Sequence, residues 1–199
     1  MRVFVWLAVF LGVLVWSAFE PKDYLTWLLE VAPALIGIVV LAVTRPSFPL
    51  TGVAYVLILV HSVILMVGGH YTYAEVPLGE WFENVFASGR NNYDKLGHFA
   101  QGFVPAILAR EIIIRLRVVN GARWRAFVVI CICLAISAFY ELIEWCVALL
   151  SEQAADSFLG TQGYQWDTQS DMAWALSGAV LALMLLSRLH NRQIAALPP

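Results

Sequence analysis

Six apolar stretches of about a helix-span each dominate this chain: residues 3–19, 24–43, 50–69, 95–116, 124–150 and 171–189. A helix needs about 20 apolar residues to cross a hydrocarbon core of about 30 Å, and each stretch meets or approaches that length. The first is the shortest, and the fifth is long enough to tilt or to project beyond the bilayer. The runs are uninterrupted and lack the period-two alternation of a barrel, so they read as helices. The expected fold is all-α, a polytopic membrane protein of six transmembrane helices forming one integral domain over residues 1–199.

Composition removes the soluble alternative. The 199 residues are 61% hydrophobic and 13% charged, with a mean hydropathy of +0.76, where a soluble domain carries roughly 25% charged residues. A net charge of −2 gives no basic field for nucleic acid. Cys131, Cys133 and Cys146 share one apolar stretch without zinc-type spacing and read as packing residues. The N-terminus is basic and apolar like a signal peptide. It lacks a small-x-small cleavage site and carries Trp16 where a small residue would be wanted, so an uncleaved first span is expected.

The loops set an orientation. Arg2, Arg45, Arg115, Arg117, Arg123, Arg125, Arg188 and Arg192 fall on one side if the spans alternate. The opposite loops hold residues 20–23, 70–94 and 151–171, the last two acid-rich with Arg90 as their one clear basic residue. The positive-inside rule then places both termini in the cytoplasm and the acidic loops outside. Trp81, Trp145, Trp166 and Trp174 lie near the outer boundary, as interfacial aromatics do. Short interfacial helices are expected at 80–86 and near 154–159.

Charged groups inside spans are costly and ask for a reason. Asp94, His98 and Gln101 share one face of the fourth span. Glu141 and Glu144 lie a turn apart in the fifth, and Asp167 and Asp171 a turn apart at the start of the sixth. At 1.5 Å per residue His98 sits roughly 5 Å inside its helix start, and Glu141 and Glu144 roughly 9–13 Å before the end of theirs. Three segments remote in sequence thus place acids in the same outer third of the membrane. Such carboxylates cannot all stay ionised together in a poor dielectric, so protons or a cation must neutralise them. With His98 bound, the set suits Zn²⁺, Mn²⁺ or iron, and oxygen ligands alone suit Ca²⁺ or Mg²⁺. The candidate metal ligands are His98, Glu141, Glu144 and Asp171. The candidate catalytic set is Asp94, His98, Glu141, Glu144, Asp167 and Asp171, working as general acids and bases or beside a metal that activates water.

Plainer roles exist for the same residues. Asp94 and Asp171 also suit helix N-termini, where acids oppose the dipole, and Thr168 with Asp171 fits a capping box. His98 can simply bond to a neighbouring helix. His61, alone in the third span, reads as a satisfied interhelical histidine more readily than as a ligand. His70 and Tyr73 at the outer mouth either join the pocket or face solvent, and Glu30 is a weaker candidate. Arg110-Glu111 lies about 24 Å from Asp94 along its helix and belongs to another place, with a structural role favoured. No P-loop, GxSxG, HExxH or dinucleotide fingerprint occurs.

The segments His-Tyr-Thr-Tyr at 70–73, Arg-Asn-Asn-Tyr-Asp-Lys-Leu-Gly-His-Phe at 90–99, Glu-Leu-Ile-Glu-Trp at 141–145 and Gly-Thr-Gln-Gly-Tyr-Gln-Trp-Asp-Thr-Gln-Ser-Asp-Met at 160–172 resemble the YjdF-type family of bacterial inner-membrane proteins over essentially the whole chain. That resemblance implies a bacterial cytoplasmic membrane and an acidic pocket facing away from the cytoplasm; it implies no activity. A weaker similarity is to VanZ-like membrane proteins, through Asp94, Lys95, His98, Glu141, Asp171 and Gly178. The chain reads Glu-Leu-Ile-Glu-Trp where that pattern has glutamate with glutamine. By analogy it implies envelope glycopeptide or lipid substrates.

Three functions follow as expectations. The leading one is a metal-assisted membrane enzyme or binding site acting on a lipid headgroup or cell-envelope precursor. The second is a small proton- or cation-coupled transporter, for which the inner half offers a poor polar route. The third is a structural or partner-binding membrane protein. Membrane lipids are the expected partners, nucleic acid is not, and the sequence leaves oligomeric state open.

Overall fold

The computed structural model describes residues 3–86, 89–150 and 162–197. Among them every regular element is helical. The helices are α1 (Val3–Ala18), α2 (Tyr24–Thr44), α3 (Gly52–Tyr71), α4 (Pro77–Phe86), α5 (Tyr93–Arg115), α6 (Ala122–Leu150) and α7 (Asp167–Ala195), with a single 3₁₀ turn at Tyr73–Glu75 between α3 and α4. The short helix expected at 80–86 is α4, extended back to Pro77, a residue suited to a first helical turn. The one expected near 154–159 lies outside the described residues.

Local chemistry sets several ends. Asp23 caps α2 by accepting from the Thr26 amide at 2.7 Å, and Thr51 caps α3 through Ala54. The last helix departs most from its expected bounds. It begins four residues earlier than 171 and runs six beyond 189, because polar residues at both of its ends continue the helix beyond the apolar run. Asp171 is therefore one turn inside α7, and the capping box expected of Thr168 and Asp171 does not form. Trp166 holds the cap position without a side-chain bond.

Among the described residues four helices, α2, α3, α6 and α7, are long and apolar enough to cross a membrane. The 16 residues of α1 reach about 24 Å. Helix α5 has the length, with 23 residues, but carries Asp94 and Lys95 at one end and Arg110, Glu111 and Arg115 at the other.

Helix α5 is the centre of the bundle, packed on α3, α6 and most extensively α7, while α1 and α2 rest on α3. The α5–α7 crossing depends on two glycines. A Cβ on Gly102 would fall on the Ala175 carbonyl, and one on Gly178 on the Phe99 carbonyl. Each helix thus lends the other a side-chain-free patch, the close approach that small residues permit in membranes. The end of the bundle away from Asp94 is tied by a second polar network. Fully buried Glu111 accepts from the Thr51 amide at 2.9 Å and hydroxyl at 2.6 Å, and pairs with His190 Nε2 at 2.9 Å. His190 Nδ1 faces Arg110 Nη1 at 3.0 Å. A guanidinium only donates, so Nδ1 accepts and Nε2 carries the proton to Glu111.

Candidate functional site

The first turns of α5 place Asp94, Lys95 and His98 in the interior, each less than a tenth exposed. The four-residue spacing puts Asp94 Oδ1 3.2 Å from His98 Nε2. Gln101 continues the face, its Oε1 3.3 Å from His98 Nδ1. Asp94 does not cap the helix. Asn92 holds that position, and the Asp94 side chain turns inward to Lys95 and His98.

Helix α7 brings Asp167 and Asp171 against this face. Lys95 Nζ lies 2.6 Å from Asp171 Oδ1, 2.7 Å from Asp167 Oδ1 and 3.3 Å from Asp94 Oδ2, so the three hydrogens of one ammonium meet three carboxylates. Arg90 Nη1 shares Asp167 Oδ1 at 2.9 Å. The approach is fixed outside the helices by Asn91 and Gln162. The Asn91 amide donates to Gln162 Oε1 at 3.0 Å, and Gln162 Nε2 returns a bond to the Asn91 carbonyl at 2.9 Å. Lys95 is the hub, though the sequence names it only as one position of the weaker VanZ-like similarity and not among the candidate site residues. The signal available was the count of acids needing a counter-ion.

Helix α6 adds Glu141 and Glu144, both buried. Glu141 Oε1 is 3.8 Å from His98 Nδ1 and meets no hydrogen-bond partner among the described residues. Helix α2 adds Glu30, whose Oε2 accepts from the Tyr140 hydroxyl at 3.2 Å, and the Tyr140 ring stands edge-on to His98 at 6.3 Å. Tyr73 joins as well. Its ring packs on Tyr93 at 5.5 Å and lies between Gly68 of α3 and Gly97 of α5, where a Cβ on either would strike it. Burial raises the Tyr73 hydroxyl pKa well above its ordinary 10, so it stays protonated. His70 does not join. It faces the Ser17 carbonyl at 3.1 Å and packs at a tilt against Trp16, with ring centroids 4.5 Å apart. His61 lies away from the cluster on the wall of another cavity and, unlike the satisfied interhelical histidine expected, meets no hydrogen-bond partner among the described residues.

The sequence-predicted six therefore share one end of the bundle. Asp94, His98 and Asp171 meet most closely. One ligand atom from each lies within 4.8 Å of the others, with Asp171 Oδ2 3.9 Å from His98 Nε2. Donors about 2.1 Å from one tetrahedral ion stand about 3.4 Å apart, close to the 3.2 and 3.9 Å seen here. Lys95 occupies one oxygen of Asp94 and one of Asp171, leaving each a second oxygen toward the imidazole. Two carboxylates and one imidazole are a donor set for Zn²⁺, Mn²⁺ or iron. Glu141 faces the other edge of the ring. Charge points the same way, since among the described residues Asp94, Asp167, Asp171, Glu141 and Glu144 face only Lys95 and Arg90 as fixed cations. Buried carboxylates in excess take up protons or another cation. Beside the cluster opens a cavity of about 680 Å³ walled by Arg90, Tyr93, Lys95, Phe99, Tyr164 and Trp174.

Residues 2–192 match the family described as predicted membrane protein, DUF2238. The chain is 53% identical over 182 residues to Inner membrane protein YjdF of Escherichia coli (strain K12), a match covering 92% of this chain and 87% of that relative. No solved structure matches it.

Proposed function

The chain belongs to the DUF2238 family of predicted membrane proteins and lies in the bacterial inner membrane, and on that footing we propose that it is a metal-assisted enzyme or binding site acting on a lipid headgroup or cell-envelope precursor at the outer leaflet. In this reading α1 and α5 cross the bilayer with the four longer apolar helices, giving six spans and cytoplasmic termini. The stretch of α5 free of fixed charge, 96–109, is about 21 Å long, and Arg110 and Arg115 can extend to the interface. Arg45, Arg115, Arg117, Arg123, Arg125 and Arg188 support the orientation, as do the exposed Trp81, Trp145, Trp166 and Trp174 on the opposite side.

One observation carries the reading: Asp94, His98 and Asp171 bring one ligand atom each within 4.8 Å of the others from two helices, beside a cavity with aromatic walls. These three residues would hold the ion. When bound, it supplies Lewis acidity and lowers the pKa of water. Lys95 holds the two aspartates in register by taking their remaining oxygens. Glu141, whose Oε1 meets no hydrogen-bond partner among the described residues, accepts a proton there, and Glu144 lies one turn further on the same helix. The cavity beside Lys95 opens at the same end of the bundle. A transporter is less well supported, because α5 between the two polar networks buries Ala100, Gly102, Val104, Ala106 and Ile107.

Elemental analysis of protein purified without chelator tests the reading. About one divalent ion per chain is expected, lost in His98→Ala and Asp171→Asn. Wild-type protein without an ion, and with a melting temperature indifferent to chelator, would overturn the metal reading.

A further inference from the structure

A second cavity, of about 440 Å³, runs between α2, α3 and α5. On α5 its wall is Val104, Pro105, Leu108, Ile112 and Leu116. Pro105, Leu108, Ile112 and Leu116 continue, at steps of three or four residues, the helical face that begins with Asp94, His98 and Gln101, and Val104 lies beside Pro105. On α2 its wall is Pro33, Ala34, Gly37, Val40, Leu41 and Thr44, continuing the face headed by Glu30. Both walls thus pass from site residues into apolar residues without changing face. The cleft exists because α2 rests on α3 and makes little contact with α5.

The lining is apolar in effect. The Thr44 hydroxyl is spent on the Val40 carbonyl at 2.7 Å and that of Ser62 on the Ile58 carbonyl at 2.8 Å. Among the described residues of the wall, His61 alone offers a polar group to the space. The lower end is floored by Phe48 and Leu116, with the Arg115 guanidinium stacked 3.6 Å from the Phe48 ring centre. From Val104 to Leu116 the slot is about 18 Å long, slightly more than half of a hydrocarbon core of about 30 Å. Pro33 and Pro105 stand at its upper end. Each lacks the amide that would bond the carbonyl four residues before it, so the Leu29 and Gln101 carbonyls lack their usual helical donors where polar site meets apolar slot.

We propose that this slot binds one acyl chain of a membrane lipid whose polar end lies at the level of Gln101, His98 and Glu30. The inference rests on the reading of that site as one for lipid headgroups. An acyl chain fits because the slot is apolar and runs about 18 Å along α5, and because it continues the faces of the polar site.

The test uses phosphatidylethanolamine carrying a diazirine in the distal half of one acyl chain, photolysed in proteoliposomes containing the full chain, with labelled peptides mapped by mass spectrometry. Labelling of the His61 peptide and of residues 104–116 is expected to exceed that of bilayer-exposed Leu142 and Leu185 several-fold. A Cβ on Gly37 would meet nothing within 4 Å, so Gly37→Phe fills the slot with little collision and is expected to lower that labelling at least fivefold. Gly12→Phe, equally uncrowded but outside the slot, should leave it unchanged. If Gly37→Phe fails to fold, Val40→Trp on the same wall replaces it. Labelling equal to that of the exposed surface, or enrichment indifferent to the filling variant, overturns the proposal. Enrichment abolished by filling, in a protein that carries no metal, would sustain the chain site and remove the metal reading. A bound metal with uniform labelling would do the reverse.

Discussion

Lys95 Nζ lies 2.6 Å from Asp171 Oδ1, and this ion pair closes α5 onto α7 at the end of the bundle where the carboxylates gather. Both side chains are buried, and the same ammonium also serves Asp94 and Asp167. Lys95→Met would leave three buried carboxylates without their shared cation. Removing one partner of a buried pair costs about 3–5 kcal/mol, which thermal unfolding in detergent should register. Asp171→Asn should cost less, since Lys95 keeps two partners. The double variant should lose less than the sum of the singles. Additive losses would show that the pair is not coupled.

The glycine crossing makes a prediction of opposite character. Gly102→Ala and Gly178→Ala each drive a methyl into backbone of the facing helix, and overpacking of this kind costs about 1–3 kcal/mol. Both should also weaken metal retention, because Asp94 and His98 would move away from Asp171. Gly12→Ala meets nothing within 4 Å and should be neutral or slightly stabilising, as alanine is the better helix former. Melting temperature and metal content of the three variants, measured together, decide the point.

Acid should weaken the start of α2. The Thr26 amide bonded to Asp23 lowers that carboxyl below its ordinary 3.8. A lowered folded-state pKa contributes stability that is complete above the unfolded value and is lost as pH falls through the folded one. Asp23→Ala should cost about 1 kcal/mol at neutral pH. It should also flatten the acid limb of the stability profile between ordinary carboxylate pH and lower values. A variant that kept the wild-type acid limb would show that Asp23 does not contribute to it.

The Glu111 network should respond without touching the site. Glu111→Gln puts amide hydrogens where the Thr51 hydroxyl, the Thr51 amide and His190 Nε2 all donate. An unmet buried donor costs about 1–3 kcal/mol. Glu111 is seventeen residues from Asp94 on α5, about 26 Å away. Stability should therefore fall while metal content stays at the wild-type level. Loss of both would mean that the two ends of α5 act as one unit.

Much of the site is legible in the sequence. The spacing of Asp94, His98 and Gln101 puts them on one face of a helix, and that of Glu141 and Glu144 puts them a turn apart. Less legible are the members brought from outside those helices. Glu30 reads as a weak candidate on α2, yet its carboxylate meets Tyr140 of α6. His70 and Tyr73 are equally placed in sequence near the mouth. The backbone turn at Thr72, with φ of 63°, and the gap between Gly68 and Gly97 take Tyr73 inward and leave His70 against α1. His190 gives no signal at all, since its partner Glu111 is 79 residues away.

The amino-acid sequence by itself determined that the chain is helical, lives in a bilayer and carries its acids in pairs about a turn apart on single helices, because hydrophobic length and helical period are properties of a single strand of residues. Which faces meet was decided only by the tertiary structure. Steric approach at Gly102 and Gly178 sets how near α5 comes to α7. That distance makes Lys95, rather than solvent, the partner of three aspartates and brings ligand atoms of Asp94, His98 and Asp171 within 4.8 Å of one another. A period along one helix cannot encode a distance between two.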